Sequence, residues 1–317
     1  MKKIIIAGGT GFLGISLVQY FKNRGDEVIT LSRSATTKKF TLSNAEVRNL
    51  PAGRQGETNL IYWSGKDLGD WAKHLEDADV LINLSGKSVD CRYTDRNKKA
   101  ILESRIHSTR VLNQAMEECE NPPKVFLNAS TATIYIHSET QINTEENGII
   151  GDDFSMGIGK AWEKEFFSTV INDVRKIALR TSIVLGNDGG ALPKMKAITR
   201  LGMGGKNGRG NQFISWIHIN DFCRSIGFLI HSELDGVVNI TAPKPETNTH
   251  FMKQLRQSMK VTFGISQPIW LLELGTAIIG TETELLLKSR NVYPQRLLDD
   301  GFTFKYENLK DCLNHLI

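Results

Sequence analysis

The chain has 317 residues, of which 40% are hydrophobic and 23% charged, as is usual for a globular protein with an ample core. Its net charge of +4 is not gathered in long runs, which argues against nucleic acid as the main partner and is compatible with an anionic ligand. The four cysteines lie far apart, and no histidine cluster has metal-ligand spacing, so we expect free thiols and no metal site.

The apolar stretches of the chain are too short for membrane segments. Only about five apolar residues precede the first glycines, fewer than a signal peptide needs. The most apolar later stretch, residues 270–280, carries Glu273 and is too short to span a bilayer. We therefore expect a cytoplasmic protein without a membrane partner.

Short β-branched runs alternate with amphipathic segments over most of the chain. Helical periodicity covers Leu13–Arg24, closed by Gly25, then Arg96–Glu118, and begins again within residues 152–166. Apolar strands that alternate with helices predict an α/β fold, a Rossmann-type doubly wound parallel sheet. The predicted strands are Lys3–Ala7, Glu27–Leu31, Leu60–Trp63, Asp79–Leu84, Lys124–Asn128, Ile177–Leu185 and Val237–Ile240.

Two composition changes predict the domain organisation. The strand rhythm stops after residues 241–248, so we place the Rossmann domain at 1–240 and a small, mainly helical C-terminal subdomain at 241–317. We expect this subdomain to cap the substrate. Residues 186–212 are rich in glycine and in Lys/Arg and follow a strand end, where ligands bind in such sheets. This loop is predicted to contribute to the substrate cleft.

The stretch IIIAGGTGFLG carries three glycines between the first predicted strand and the first helix. Gly8 permits a tight turn, Gly11 lets a pyrophosphate approach the backbone, and Gly14 lets helix and strand pack closely. The helix N-terminus supplies N–H donors and partial positive charge. The pattern predicts dinucleotide binding, and the alternative is a turn with only a structural role.

The end of the second predicted strand favours NADP(H) over NAD(H). An NAD site usually has a carboxylate there to bind the ribose 2′-hydroxyl, whereas this strand ends in Ser32 and Arg33. A guanidinium suits a 2′-phosphate because it donates charge-assisted, bidentate hydrogen bonds. The alternative is that Arg33 is a solvated surface side chain.

Several motifs resemble one protein superfamily. They are GGTGFLG, VLINLSGKSV, SRIHSTRVL, LRTSIVLG and FISWIHINDF, and they are similar to extended members of the short-chain dehydrogenases/reductases. Within these, the chain resembles the atypical subgroup labelled epimerase family protein or nucleoside-diphosphate-sugar epimerase, with an NAD-dependent epimerase/dehydratase region and a small C-terminal domain. The resemblance runs nearly end to end and includes residues 294–313.

The resemblance implies a set of cofactor contacts. Arg105 stands where many extended members carry an asparagine that faces the cofactor, although it could be a helix-surface arginine. Lys160 would bind the nicotinamide ribose, although it could be a solvated helix lysine. The implied contacts are Gly8, Thr10, Gly11, Phe12, Leu13, Gly14, Ser32, Arg33, Leu84, Ser85, Gly86, Arg105 and Lys160.

The catalytic positions follow from the motif ASTATIY at residues 129–135. When Tyr135 is aligned with the tyrosine of the family motif, Thr131 is the hydroxyl that polarises the substrate, with Ser130 beside it. Met156 follows Thr131 by 25 residues, the usual gap to the catalytic tyrosine in extended members, and Lys160 then occupies the lysine position. A thioether cannot carry a proton, so Met156 cannot replace the phenol.

Three explanations of Met156 stay open. Another group, Tyr135 or His218, could serve as acid or base, with Thr131, Lys160 and Tyr135 as the catalytic set. The substrate could need hydride transfer alone, with water or its own group handling the proton. Alternatively, the protein is catalytically weak or inactive and binds NADP(H) in a regulatory or scaffold role. We expect an oxidoreductase or epimerase for a small polar substrate, such as an anionic or sugar-nucleotide-like compound.

The substrate side is predicted from polar and aromatic residues in the second half of the chain. Arginine together with glycine N–H groups suits a phosphate or a carboxylate. A packed wall is the expected role of Trp216, with a stacking platform as the alternative, and Asp221 is expected to cap the following helix. A homodimer is compatible with the sequence. The predicted substrate residues are Arg180, Arg209, Gln212, Trp216 and His218.

Overall fold

The computed structural model describes residues 1–33, 59–279 and 282–317. Its strands are β1 (Lys3–Ala7), β2 (Glu27–Ser32), β3 (Asn59–Tyr62), β4 (Val80–Asn83), β5 (Val125–Thr131), β6 (Arg175–Thr181), β7 (Ile183–Leu185), β8 (Phe213–Ile214), β9 (Trp216–His218), β10 (Gly236–Ile240) and β11 (Glu246–Thr247). Its α-helices are α1 (Phe12–Asn23), α2 (Asp95–Glu118), α3 (Phe154–Phe166), α4 (Leu192–Ile198), α5 (Ile219–His231), α6 (Asn248–Ser258), α7 (Ile269–Ile279), α8 (Glu284–Leu287), α9 (Gln295–Asp299) and α10 (Leu309–Leu316).

Seven strands form one parallel sheet flanked by helices, in the order β10-β6-β5-β4-β1-β2-β3. In its centre Ile5 lies opposite Ile29 on one side and Leu81 on the other. The central strand β1 is buried from Ile4 to Ala7, as expected of a strand covered on both faces. The predicted Rossmann-type parallel sheet is confirmed.

The predicted strand Ile177–Leu185 is two strands in the structure. The N–H of Ser182 donates to the carbonyl of Ile240, and the N–H of Ile183 donates to the carbonyl of Ser215. The chain therefore changes partners after β6, and β7 pairs in parallel with β9 outside the large sheet. A continuous apolar run cannot reveal this change, because both halves are equally good strand formers.

The described chain forms two compact units. Unit 1 comprises Met1–Gly86, Ser104–Ala129 and Glu165–Ile177. In this unit α1 buries Gly14, Leu17 and Phe21, which are three and four residues apart and so share one helix face. The rings of Phe126 and Phe166 meet edge to face at 4.9 Å.

Unit 2 comprises Lys87–Glu103, Ser130–Lys164 and Ala178–Ile317. One of its apolar clusters joins Trp216, Phe251, Leu255, Leu309 and Leu313, among others. Beyond β11 the described chain is mainly helical, from α6 to α10, as predicted for the C-terminal region. The predicted boundary at residue 240 stays a prediction.

Among the described residues, no helix is both long and apolar enough to cross a membrane. The same residues contain no group of three or more His, Cys, Asp or Glu side chains placed to hold a metal ion. The four cysteines are unpaired.

Candidate dinucleotide site and candidate catalytic groups

The turn after β1 in unit 1 requires glycine at its first position. Gly8 has φ of +81°, and its N–H donates to the carbonyl of Leu31 at 3.1 Å. A Cβ at Gly8 would lie 3.0 Å from the carbonyl carbon of Leu84 and 3.0 Å from the amide nitrogen of Ser85. The turn thus packs directly on the end of β4, and a larger residue would be strained and crowded.

The other two glycines of the motif shape the start of α1. A Cβ at Gly14 would lie 2.6 Å from the carbonyl oxygen of Gly8, so the helix packs tightly on the turn. Among the described residues, a Cβ at Gly11 would meet only that same oxygen, at 3.7 Å. Thr10 and Gly11 are exposed, and no side chain of the described residues caps the helix. The N-terminus of α1 is therefore open to a phosphate.

The end of β4 adds a hydroxyl that lacks a protein partner. The Oγ of Ser85 is buried and has no hydrogen-bond partner among the described residues, although buried hydroxyls are normally paired. A Cβ at Gly86 would lie 3.2 Å from the guanidinium carbon of Arg105, so Arg105 lies against this strand end, and its role toward a cofactor stays a prediction. A buried hydroxyl without a protein partner and an open helix N-terminus are features that a dinucleotide site needs.

The end of β2 carries the two residues on which the choice of cofactor depends. Ser32 is buried and ends the strand, while Arg33 follows it and is exposed. The Cδ of Arg33 lies 3.9 Å from the position that a Cβ at Gly65 would take. Residues 34–58, which follow Arg33 in sequence, lie outside the described part of the chain.

Thr131 in unit 2 is the last residue of β5 and is half-buried. Its Oγ1 accepts the N–H of Thr133 at 3.1 Å and so caps a short 3-10 turn over Ala132–Ile134. This bond uses the oxygen as an acceptor and leaves the hydroxyl proton to be donated. The side chain is placed at a strand end, as predicted.

Met156 and Lys160 lie one turn apart on α3 in unit 2. Met156 is 4% exposed, its thioether packs against Gly151, and its N–H donates to Oδ1 of Asp153 at 3.0 Å. The Lys160 ammonium pairs with Asp152, and both side chains reach solvent. An exposed ion pair contributes little, so Lys160 can exchange this partner for another.

Five buried polar side chains form one network in unit 2. Glu163 accepts hydrogen bonds from Ser130 Oγ at 2.6 Å and from Nε and Nη2 of Arg180 at 2.8 and 2.7 Å. Nη1 of Arg180 donates to the Tyr135 hydroxyl at 2.9 Å, and that hydroxyl donates to Asn239 Oδ1 at 2.9 Å. Burial opposes the charge of Arg180, but the hydrogen bonds and charge of Glu163 raise the pKa of its guanidinium above the ordinary value.

This network corrects two sequence predictions. Tyr135 is fully buried, and burial raises the pKa of its phenol, although Arg180 opposes the rise. Its proton is committed to Asn239, so the hydroxyl is not placed to serve a substrate as acid or base. Arg180 is 4% exposed, and its guanidinium is hydrogen-bonded to Glu163 and Tyr135. The side chain therefore has a structural role and is not available to an anionic substrate.

His218, also predicted at the substrate side or as an acid or base, is a packed core residue. Its ring stacks on Tyr306 at 3.9 Å, its Nδ1 accepts the N–H of Asn220, and its Nε2 lies 3.1 Å from Nδ1 of His315. Burial, and then the nearby His315 and Lys305, lower the pKa of His218 to about 3. The neutral ring therefore carries its proton on Nε2 and donates it to His315.

The remaining predicted substrate residues divide into buried and exposed. Trp216 is fully buried and donates its indole N–H to the carbonyl of Lys244, which confirms the packed wall. Gln212 is buried and donates to the carbonyls of Asn207 and Leu286. Arg209 alone among the five predicted side chains is exposed.

The expected cap at Asp221 is wrong. The N-cap of α5 is His218, while Asp221 lies in the first turn and is fully buried. Its carboxylate accepts the backbone N–H groups of Lys305 and Tyr306, at 3.0 and 2.7 Å, and pairs with Arg224. The residue holds the C-terminal segment on α5, a role that depends on residues more than 80 positions away.

A second polar cluster in unit 2 was missed by the sequence analysis. Ser155, immediately before Met156, donates to Oε1 of Glu284 at 2.8 Å and lies near enough to the Tyr93 phenol to influence its pKa. Lys288 pairs with both Glu284 and Asp153. Burial raises the pKa of the Tyr93 phenol, the Ser155 hydrogen bond opposes the rise, and Glu284 adds to it. Tyr93 and Ser155 are far apart in sequence, and no spacing signals their contact.

Comparisons with known proteins decide the family. Residues 4–156 match the family model described as NAD dependent epimerase/dehydratase family, and residues 267–316 match a domain of unknown function, DUF1731. An epimerase family protein of Staphylococcus epidermidis is 34% identical over 318 residues, which cover 100% of this chain and 99% of the relative. The chain belongs to the epimerase family. A Staphylococcus aureus member is 33% identical over the same length and covers the same shares of both chains.

Solved structures agree with this family assignment. The human epimerase family protein SDR39U1, crystallised with NADPH, is 27% identical and superposes with a TM-score of 0.84 over 99% of this chain and 98% of its own. The UDP-N-acetylglucosamine 4-epimerase of Methanobrevibacter ruminantium is 17% identical, with a TM-score of 0.75 over 99% of this chain and 96% of its own, and shows the fold alone. The chain is thus an extended short-chain dehydrogenase/reductase of the NAD(P)-dependent epimerase/dehydratase family.

Proposed function

We propose that this epimerase family member is an NADP(H)-dependent oxidoreductase or epimerase for a small polar substrate. The choice of NADP(H) depends on the end of β2. Ser32 and the exposed Arg33 lie there, where an NAD site has a carboxylate. The NADPH bound to the human relative supports the same choice.

In this proposal the chain's own residues bind and orient both reactants. The N-terminus of α1 receives the pyrophosphate, Ser85 supplies its unpartnered hydroxyl, and Arg33 binds the 2′-phosphate. Lys160 leaves Asp152 to bind ribose hydroxyls. A bound nicotinamide supplies or accepts the hydride. Thr131 donates its hydroxyl proton to the substrate oxygen and so polarises the reacting carbon.

We assign the proton-donor role to Tyr93. Met156 has no transferable proton, and the hydroxyl of Tyr135 is committed to Asn239. The phenol of Tyr93 is only partly buried, lies against Ser155 at the residue before Met156, and is kept protonated by its raised pKa. A protonated phenol in that position can act as a general acid.

The substrate class follows from the loop between α4 and β8. Arg209 is exposed between Gly208 and Gly210, both of which have positive φ. The glycine N–H groups beside it are already hydrogen-bonded to the carbonyls of Gln267 and Asn207, so the exposed guanidinium is the group that suits a phosphate or carboxylate. A protein 25% identical, the nucleoside-diphosphate sugar epimerase of Corynebacterium glutamicum, has a sugar nucleotide in its name. We therefore include sugar nucleotides among the candidate substrates.

The test is a titration of NADPH and NADH against wild type, Arg33→Ala and the control Lys66→Ala, which removes another exposed cation of unit 1. Each charge-assisted hydrogen bond to the 2′-phosphate contributes about 1.5 to 3 kcal/mol, so two give a preference above about a hundredfold. We expect Arg33→Ala to lose this preference and Lys66→Ala to keep it. Equal affinities in wild type would remove Arg33 from the proposal.

Turnover is tested separately with carbonyl compounds and sugar nucleotides, by following NADPH oxidation and epimer formation. We expect activity with at least one anionic substrate. Tight NADPH binding without turnover on the whole panel would instead support a regulatory or scaffold role.

A further inference from the structure

Unit 2 exposes a group of large apolar side chains that the proposed function does not use. They lie on two segments, one just after α4 and one from the end of α6 into α7. We call this surface the basic apolar face. Its apolar members are each between 49% and 77% exposed, and they are Leu201, Phe263, Ile265, Ile269, Trp270 and Leu274.

The two segments run side by side. The N–H of Ile265 donates to the carbonyl of Gly202, and the N–H of Gly205 donates to the carbonyl of Ile265. The N–H of Gln267 donates to the carbonyl of Lys206, and Asn207 and Gln267 form an isolated parallel bridge. A Cβ at Gly202 would lie 3.0 Å from the ring of Phe263. The apolar side chains therefore form one surface, which α7 continues with Trp270 and Leu274 one helical turn apart.

The same segments carry mainly positive charge. Residues 189–212 contain five Lys/Arg and no Asp or Glu, and residues 248–274 contain three Lys/Arg and one acidic residue, Glu273. With these eight cations set aside, the chain's net charge of +4 becomes −4. Arg200 directly precedes Leu201, and Arg200, Lys206 and Lys260 are all exposed. These three exposed cations thus lie on the same two segments as the apolar side chains.

We propose that the basic apolar face binds the surface of an anionic lipid bilayer. Exposed Trp and Phe side chains insert at the depth of the headgroups, and the surrounding Lys and Arg bind lipid phosphates, the pattern of interfacial helices and polybasic segments. Six large apolar side chains exposed on adjoining segments are a pattern that marks an interaction site. A second copy of the same face fits poorly, because its cations would lie opposite one another. Binding at the bilayer surface does not require a membrane-spanning helix. The proposal nevertheless replaces the expectation, made from the sequence, that the protein has no membrane partner.

The tryptophans provide a direct probe. Trp63, Trp71, Trp162 and Trp216 are buried, so Trp270 is the one exposed member of the five. We expect vesicles of phosphatidylcholine with phosphatidylglycerol to shift the fluorescence of the whole protein to the blue, and pure phosphatidylcholine vesicles to leave it unchanged. Trp270→Phe should abolish the shift yet keep co-sedimentation with the vesicles, because phenylalanine preserves the apolar contact.

Two multiple substitutions test the apolar side chains and the cations of the face separately. Phe263→Ser/Trp270→Ser and Arg200→Glu/Lys206→Glu/Lys260→Glu should each weaken co-sedimentation at least tenfold. The controls Val170→Ser and Lys66→Glu, exposed positions of unit 1, should not. Raising salt from about 0.1 M to about 1 M shortens the screening length from about 10 Å to about 3 Å, and should release wild type. Circular dichroism melting checks the fold of each variant.

Three results would overturn the proposal. They are equal binding to neutral and anionic vesicles, unchanged binding of both multiple variants, and a wild-type dimer in sedimentation velocity that Phe263→Ser/Trp270→Ser makes monomeric. The last would assign the face to a second copy of the chain.

Discussion

The thioether of Met156 occupies the space in which a side chain on Gly151 would lie. Methionine suits such an irregular gap because it is unbranched and flexible. The residue at the position of the superfamily tyrosine is therefore an apolar packing residue of unit 2. In the proposed enzyme, the proton must therefore come from another group.

Thr131 should matter to turnover far more than Met156. Thr131→Ala removes a hydrogen bond to developing charge and should lower kcat about a hundredfold or more. Met156→Ala removes only packing and should change kcat by less than about tenfold, with some loss of Tm. The measurement is NADPH oxidation with the substrate found in the panel. Equal effects of the two substitutions would show that Thr131 is not the polarising hydroxyl.

Tyr93→Phe should lower kcat with little change in NADPH affinity. General acids contribute about a hundredfold to ten-thousandfold, and phenylalanine keeps the edge-to-face contact with Phe154 at 5.0 Å. Because the pKa of this phenol is raised, the wild-type rate should not fall with pH until well into the alkaline range. Tyr62→Phe, at an exposed tyrosine of unit 1, is the control. If Tyr93→Phe kept the wild-type rate, the proton would have to come from water or from the substrate itself.

The pair of Arg180 and Glu163 should behave as a buried ion pair. Arg180→Met leaves the carboxylate of Glu163 without its partner and should cost about 3 to 5 kcal/mol of unfolding free energy. Arg180→Met/Glu163→Leu should recover much of that loss, because both charges are gone. Arg110→Met, which breaks the more exposed pair with Glu165, should cost at most about 1 kcal/mol. Urea unfolding measures all three, and a cost for Arg180→Met no larger than for Arg110→Met would contradict the assignment.

His218 should make the protein less stable in acid. Its pKa of about 3 in the folded chain lies below the ordinary value of 6.5, so the unfolded chain binds the proton more readily. The stabilisation is complete above pH 6.5 and is lost as the pH falls toward 3, by up to about 1.4 kcal/mol per pH unit. His218→Asn can still cap α5 and should flatten the dependence of Tm on pH, whereas His231→Asn at the exposed end of α5 should not. An unchanged slope in His218→Asn would show that other groups titrate.

Local sequence determined the alternation of strands and helices and the glycine turn. These features depend on interactions within a few residues, namely apolar runs bounded by turn residues and glycines at a strand–helix junction. The sequence therefore predicted β1 at its observed bounds and α1 within one residue at each end. The family motifs placed Thr131 at a strand end and Met156 on the helix that carries Lys160.

The roles of the polar side chains were decided only by the tertiary structure. Tyr135 and Arg180 looked accessible because they lie near strand ends, yet each meets partners from other elements and is buried there. Asp221 and His218 likewise take their roles from the C-terminal segment. Tyr93 meets Ser155 only because two remote segments come together in unit 2. A buried polar group needs a hydrogen-bond partner, and the identity of that partner depends on contacts across the fold, which sequence spacing does not encode.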